Sequence, residues 1–160
     1  MISERLKTLQ FIVGPLIIGA ALFAIISLFV SGVPKLTEFR LGTFGIIGTV
    51  SAIACVALAF VVTRTMDRAA EDSLRASGTV TQIDEQLFER LQNRTIVGCA
   101  LLEGGIFLNL VLNILQPHVL LLSLALGMLA VMSFYFPTSR RVQQWFALRR
   151  EGITNRKTFD

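Results

Sequence analysis

The chain is poor in the residues that carry chemistry. Its 160 positions include one histidine, one tryptophan, one tyrosine, two cysteines and four prolines, and only 16% are charged. A single histidine and two cysteines cannot assemble a recognisable zinc or iron site, because such sites need three or four clustered ligands. Cys55 and Cys99 both fall inside apolar runs, where cysteine packs as a small hydrophobe. No HExxH, phosphate-binding lysine loop, nucleophile elbow or CxxC pair occurs. The sequence therefore predicts no enzyme, no catalytic residue, no metal and no cofactor.

Apolar sequence dominates instead. Hydrophobic residues make up 53% of the chain, gathered into four runs at about 9–31, 42–63, 95–115 and 118–136. Each is roughly 20 residues, enough at 1.5 Å per residue to cross a hydrocarbon core of about 30 Å. Backbone groups in lipid must bond within their own segment, so each run is expected to be a helix. The expected fold is all-α: an integral membrane four-helix bundle in one domain. The first run reads as an uncleaved signal anchor, with Pro15 near its first turns.

The basic residues set the expected orientation. Arg5 and Lys7 precede the first span. Arg64, Arg68, Arg75, Arg90 and Arg94 lie between spans two and three. Arg140, Arg141, Arg149, Arg150, Arg156 and Lys157 follow the fourth. Only Lys35 and Arg40 fall on the other side. The positive-inside rule then places both termini and the central segment in the cytoplasm, in a bacterial inner membrane. A net charge of +4 gives no reason to expect nucleic acid, because these cations flank apolar spans.

The central segment 64–94 is too charged for a simple loop. Its first half lacks glycine and proline, Ser77-Gly78 reads as a stop, and Thr81 is placed to cap a second helix. A cytoplasmic helical hairpin between spans two and three is expected. After Pro137, residues 138–151 carry Trp145 and Phe146 among Arg140, Arg141 and Arg149. That pattern predicts an interfacial amphipathic helix with anionic lipid as its neighbour.

Small residues mark packing faces. Gly45, Gly48, Ala52, Cys55 and Ala59 recur at three- and four-residue steps in the second span, and Ala20, Ala24, Ser27 and Ser31 in the first. Gly98, Gly105, Asn109 and Asn113 share one side of the third. Such stripes allow close helix packing within the bundle or in a homo-oligomer or larger membrane complex. The lone histidine, His118, sits at a span boundary and reads as interfacial and structural. A short internal repeat is also visible. Glu4-Arg5-Leu6 and Ile12-Val13-Gly14 recur as Glu89-Arg90-Leu91 and Ile96-Val97-Gly98, 85 and 84 residues later.

Glu103 is the single acid or base inside the four runs. It lies nine residues beyond Arg94, about 13 Å into the membrane. A carboxyl there is paired, protonated or functional. Gly104 and Gly105 follow it, and a partner is expected from another helix, for instance Thr43, Thr49 or Ser51 of the second span, or from another subunit. The stretch Val97-Gly98-Cys99-Ala100-Leu101-Leu102-Glu103-Gly104-Gly105-Ile106-Phe107 resembles the ion-binding helix of the rotary ATPase c subunits, the membrane proteolipids. The resemblance implies a mid-membrane carboxyl at Glu103 that binds one proton or cation per step. The residues taken alone favour a tetraspan protein with a structural or accessory association role.

Overall fold

The computed structural model describes residues 2–32, 42–75, 80–140, 142 and 144; side chains at 2–3 and 67–86 fall outside the description. Four helices account for nearly all of it: α1 (Ile2–Ser31), α2 (Thr43–Arg75), α3 (Val80–Leu115) and α4 (Val119–Phe134). No strand occurs among the described residues. Three helices are long and apolar enough to cross a membrane. The fourth, α4, is apolar but has 16 residues, about 24 Å of helix. Gly32 closes α1 with φ 72°, in the left-handed region that glycine enters without a Cβ penalty.

The helices outrun the apolar spans that predict them. α1 begins at Ile2, so Pro15 lies in its interior and the helix runs on through it, whereas the sequence placed Pro15 near the first turns. Pro15 is exposed, on the side of α1 away from the core. α2 continues to Arg75 and α3 begins at Val80, so both extend past the apolar region into the charged central segment. Thr81 is inside α3, not at its cap, because the helix starts one residue earlier. Ser77-Gly78 and the connection at 33–41 lie outside the described residues.

α3 is the central element. It packs against α1, α2 and α4, and α4 also touches α1 and α2. α1 and α2 share little contact and flank the α3–α4 pair. Burial follows from this layout: half of the apolar window of α3 is buried, against 22% in α1 and in α2. The core divides its labour by size. α1 and α2 contribute Ala20, Ala24, Ser27, Gly45, Gly48, Ala52 and Ala59, all buried. α3 and α4 contribute Leu102, Ile106, Leu110, Leu121, Met128 and Met132. Bulky side chains thus seat against small residues of α1 and α2, while nearer the charged end α1 adds the buried Leu9 and Val13. That close fit is what holds membrane helices together, since lipid offers no hydrophobic drive for their association. The outward faces of α1 and α2 carry Phe11, Ile18, Phe29, Val50, Ile53 and Phe60, apolar groups suited to acyl chains.

The register of α1 against α3 matches the internal repeat. Phe23 meets Phe107 edge-on at 4.9 Å between ring centroids, an offset of 84 residues. The two helices therefore run parallel at equal depth. A second apolar cluster ties the charged end together, with Leu6 of α1, Leu87, Phe88 and Leu91 of α3, and Val142 from the segment after α4. Gln10 Nε2 donates to the Pro137 carbonyl at 2.8 Å, fixing that segment against α1.

Two glycines give a direct test of this packing. A Cβ at Gly48 would overlap Leu121 Cδ2 and stand 2.7 Å from Asn109 Oδ1, and both neighbours are fully buried. A Cβ at Gly104 would meet nothing within 4 Å. Gly48→Ala is expected to cost about 1–3 kcal/mol through overpacking, while Gly104→Ala gains up to about 1 kcal/mol of helix propensity. Unfolding of the two purified variants in mild detergent checks this; equal shifts would contradict the packing.

Candidate functional site

The polar groups of the bundle are concentrated on α3, and a helical wheel explains their fates. Buried positions on α3 include Thr95, Gly98, Cys99, Leu102, Gly105, Ile106, Asn109, Leu110 and Asn113. The exposed stripe is Ala100, Gly104, Leu108, Val111 and Leu115, on the opposite side. At 100° per residue, Asn109 and Asn113 point into the centre, while Glu103 falls on the border between the two faces. Phe107, one turn beyond Glu103, contacts Phe23, so this border is the one beside α1.

Asn113 organises the end of the bundle away from the charged segments. Its Nδ2 donates to Ser31 Oγ at 3.1 Å and to Ser27 Oγ at 3.3 Å. Its Oδ1 accepts from the His118 backbone N–H at 3.0 Å. Ser27 Oγ in turn donates to the Leu110 carbonyl at 3.4 Å and Ser31 Oγ to the Ser27 carbonyl at 2.6 Å. One amide thereby joins α1, α3 and the turn into α4. His118 completes that turn as the N-cap of α4, its Nδ1 accepting from Leu120 N–H at 3.2 Å. Its role is structural.

Asn109 sits one turn deeper, between α3, α2 and α4. Nδ2 donates to the Gly105 carbonyl at 2.9 Å and to Ser51 Oγ at 3.4 Å. Oδ1 is buried without a hydrogen-bond partner and points at Gly48. An amide flip would set carbonyl against the Gly105 carbonyl, so the orientation is determined.

Glu103 differs from both asparagines. It is half-buried, and among the described residues its carboxyl makes no hydrogen bond or ion pair. The polar groups expected near it are engaged elsewhere. Thr49 Oγ1 donates to the Gly45 carbonyl at 2.8 Å, and Ser51 Oγ donates to the Gly48 carbonyl at 2.9 Å while accepting from Asn109. Of the partners the sequence offers for Glu103, Ser51 bonds Asn109 instead. Sequence reasoning named the serines of α1 as packing residues but missed them as partners of Asn113. The available signal was the repeat register, which sets Ser27 and Ser31 beside Asn113.

The remaining candidate residues fall into place around this network. Gly45, Gly48 and Ala52 are buried on the side of α2 that meets α3 and α4, and Gly98 and Gly105 are buried on α3. A Cβ on Gly98 would touch Tyr135 Cε1 at 2.9 Å, and one on Gly105 would touch Cys55 Cβ at 3.0 Å and Met128 Sδ at 3.1 Å. Arg140 is exposed at the start of the final segment. Arg141, Trp145, Phe146 and Arg149 lie outside the described residues. Cys55 and Cys99 are free thiols, and no metal-holding group of histidine, cysteine, aspartate and glutamate occurs among the described residues.

No protein family, curated protein or solved structure matches this chain. Its character rests on its own geometry: a small helical membrane protein with an internal amide–hydroxyl network and, in mid-span, a carboxyl outside that network.

Asn113→Ala removes the acceptor of a buried N–H and the donor to two serines. It is expected to destabilise the bundle by about 1–3 kcal/mol, and Ser31→Ala by less than about 1 kcal/mol, because Ser31 makes one of those bonds. SDS-titration unfolding measures both; an Asn113→Ala effect no larger than that of Ser31→Ala would show that the network is not what joins the helices.

Proposed function

We propose that this chain is a membrane-embedded structural or accessory subunit whose role is association with another membrane protein or copy. One observation carries the reading. The asparagine Nδ2 groups, Asn113 Oδ1 and the serines around them find partners within the chain, and Asn109 Oδ1 is sealed in the core, whereas the Glu103 carboxyl, in mid-span and at the rim of the protein, makes no hydrogen bond among the described residues. A carboxyl facing hydrocarbon costs several kcal/mol unless something satisfies it, and what satisfies it then comes from outside the chain. The wide apolar faces of α1 and α2 accommodate lipid or a neighbour equally well.

Four membrane crossings with both termini cytoplasmic fit this role. The start of α1, the end of α2, the start of α3 and the segment after α4 meet at one end, where Lys7, Arg64 and Arg140 are exposed. Arg64 places its guanidinium over the Phe60 ring at 4.3 Å, a cation–π contact suited to a membrane boundary. The final segment would then lie along the cytoplasmic surface against anionic lipid, in a bacterial inner membrane.

Proton or cation transfer is the second reading, favoured by the same outlying carboxyl and by the proteolipid-like stretch around it. The two separate on Glu103→Gln, which keeps the shape and hydrogen bonding but cannot release a proton. Under the association reading the glutamine variant elutes with the same assembly mass in mild detergent, and Glu103→Leu shifts toward the monomer. Under ion transfer, a hydrophobic carbodiimide labels Glu103, with sodium or rising pH protecting it as the carboxyl deprotonates or is occupied. A parent protein monomeric in both native vesicles and detergent would refute association.

Topology has its own test. A cysteine at Ser77, in a background lacking Cys55 and Cys99, should resist an impermeant thiol reagent in intact cells and react after lysis. Labelling of intact cells would reverse the orientation.

A further inference from the structure

We propose that two copies of this chain pair along the rim of α3 beside α1, with the Glu103 carboxyl of one against the Glu103 carboxyl of the other. This rests on the association reading and names the partner.

The space around the carboxyl is open, as it is at Gly14 and Gly127, but here the opening lies beside an unpartnered polar group in mid-span. Gly104 is exposed, and a Cβ there would meet nothing within 4 Å. The same holds at Gly19, which the register of Phe23 on Phe107 sets at the level of Glu103 on α1. Ala100, one turn before Gly104, is exposed as well. Gly48, Gly98 and Gly105, in contrast, are filled by Leu121, Tyr135, Cys55 and Met128 of the same chain. The inward glycines are already used. The outward ones beside Glu103 leave room for a second backbone.

The chemistry of the carboxyl selects the occupant. On α3 the nearest basic residue is Arg94, about 13 Å below, so an ion pair within the span has no cation to use. A neutral carboxylic acid carries one donor and one acceptor side by side. Two of them related by a two-fold axis exchange two O–H···O bonds, each hydroxyl donating to the other carbonyl. Both polar ends are then satisfied without net charge in the hydrocarbon. A lone carboxyl on an uncrowded face is self-complementary, as a two-fold interface requires. No other polar chemistry on the partner is needed.

Disulfide trapping in native membrane vesicles tests the pairing with the full chain. In a Cys55→Ala, Cys99→Ala background, single cysteines are placed at Ala100, exposed on α3 about 60° around the helix from Glu103, and at Gly127 on the exposed face of α4. Oxidation should give cross-linked dimers from Ala100→Cys and few from Gly127→Cys. Adding Glu103→Leu or Gly104→Leu should lower the α3 dimer yield roughly 3- to 30-fold, the range for losing one or two interhelical hydrogen bonds. Glu103→Gln should keep it, because carboxamides pair in the same way. Gly104→Leu meets nothing inside the chain, so unchanged unfolding in detergent shows that its effect is on pairing and not on the fold. Dimers trapped through Gly127→Cys, or α3 dimers indifferent to Glu103→Leu, would overturn this pairing and leave association through another face. A monomer in every case would overturn both. Carbodiimide labelling of a monomer, blocked by sodium, would make a cation the partner and overturn the pairing too.

Discussion

In hydrocarbon a polar group has no water to fall back on, and every feature of this structure answers to that. The backbone satisfies itself by forming four helices and nearly nothing else. Side chains have the same obligation. The hydroxyls of Thr49, Thr63, Thr95 and Ser133 each donate to the carbonyl four residues back on their own helix. This lets them sit in apolar surroundings at little cost. Asparagine has two donors and an acceptor to place, and its own helix cannot take them all. Asn109 and Asn113 must therefore reach other helices, and in doing so they fix which helices are neighbours.

That requirement explains why α3 is central. It carries both core asparagines and contacts every other helix, α1 through Asn113 and Leu110, α2 through Asn109 and Gly105. α1 and α2 need only offer serines at the right depth and small residues elsewhere. The amide bonds supply direction and the glycine and alanine contacts supply closeness. Neither would suffice alone, since an interhelical hydrogen bond in a membrane contributes only about 0.6 to 2 kcal/mol. Gly48 shows the two acting at one point. It admits both Leu121 and the Asn109 amide to the surface of α2, and a single methyl there would displace both.

Much of this was legible in the sequence because helical periodicity writes packing faces directly. The long apolar runs gave the helices, and the absence of glycine and proline over 64–76 gave the continuation of α2 to Arg75. The stripe Gly45, Gly48, Ala52 falls on the buried side of α2. What periodicity cannot write is which face meets which helix. A tandem pair of two-helix units would set α1 against α2, yet the two barely touch. The repeat is visible only as the parallel register of α1 on α3. Ser51 is likewise a candidate partner of Glu103 in the sequence because both are polar and in mid-span. Six residues along α3, about 9 Å and 120° around the helix, give it to Asn109 instead.

The same wheel sets Glu103 apart. Rotation by one residue toward Leu102 would carry its carboxyl into the core, where the small residues of α1 and α2 leave no partner for it. Rotation the other way, to Gly104, would leave it fully in lipid. At the rim it can be met from outside while Phe107 and Phe23 close the seam beneath it. A residue kept only for internal stability would gain more from the positions that Asn109 and Asn113 occupy, where hydroxyls and backbone groups are within reach. Its place at the border, beside glycines with nothing over them, is suited to a group whose partner arrives separately from the fold.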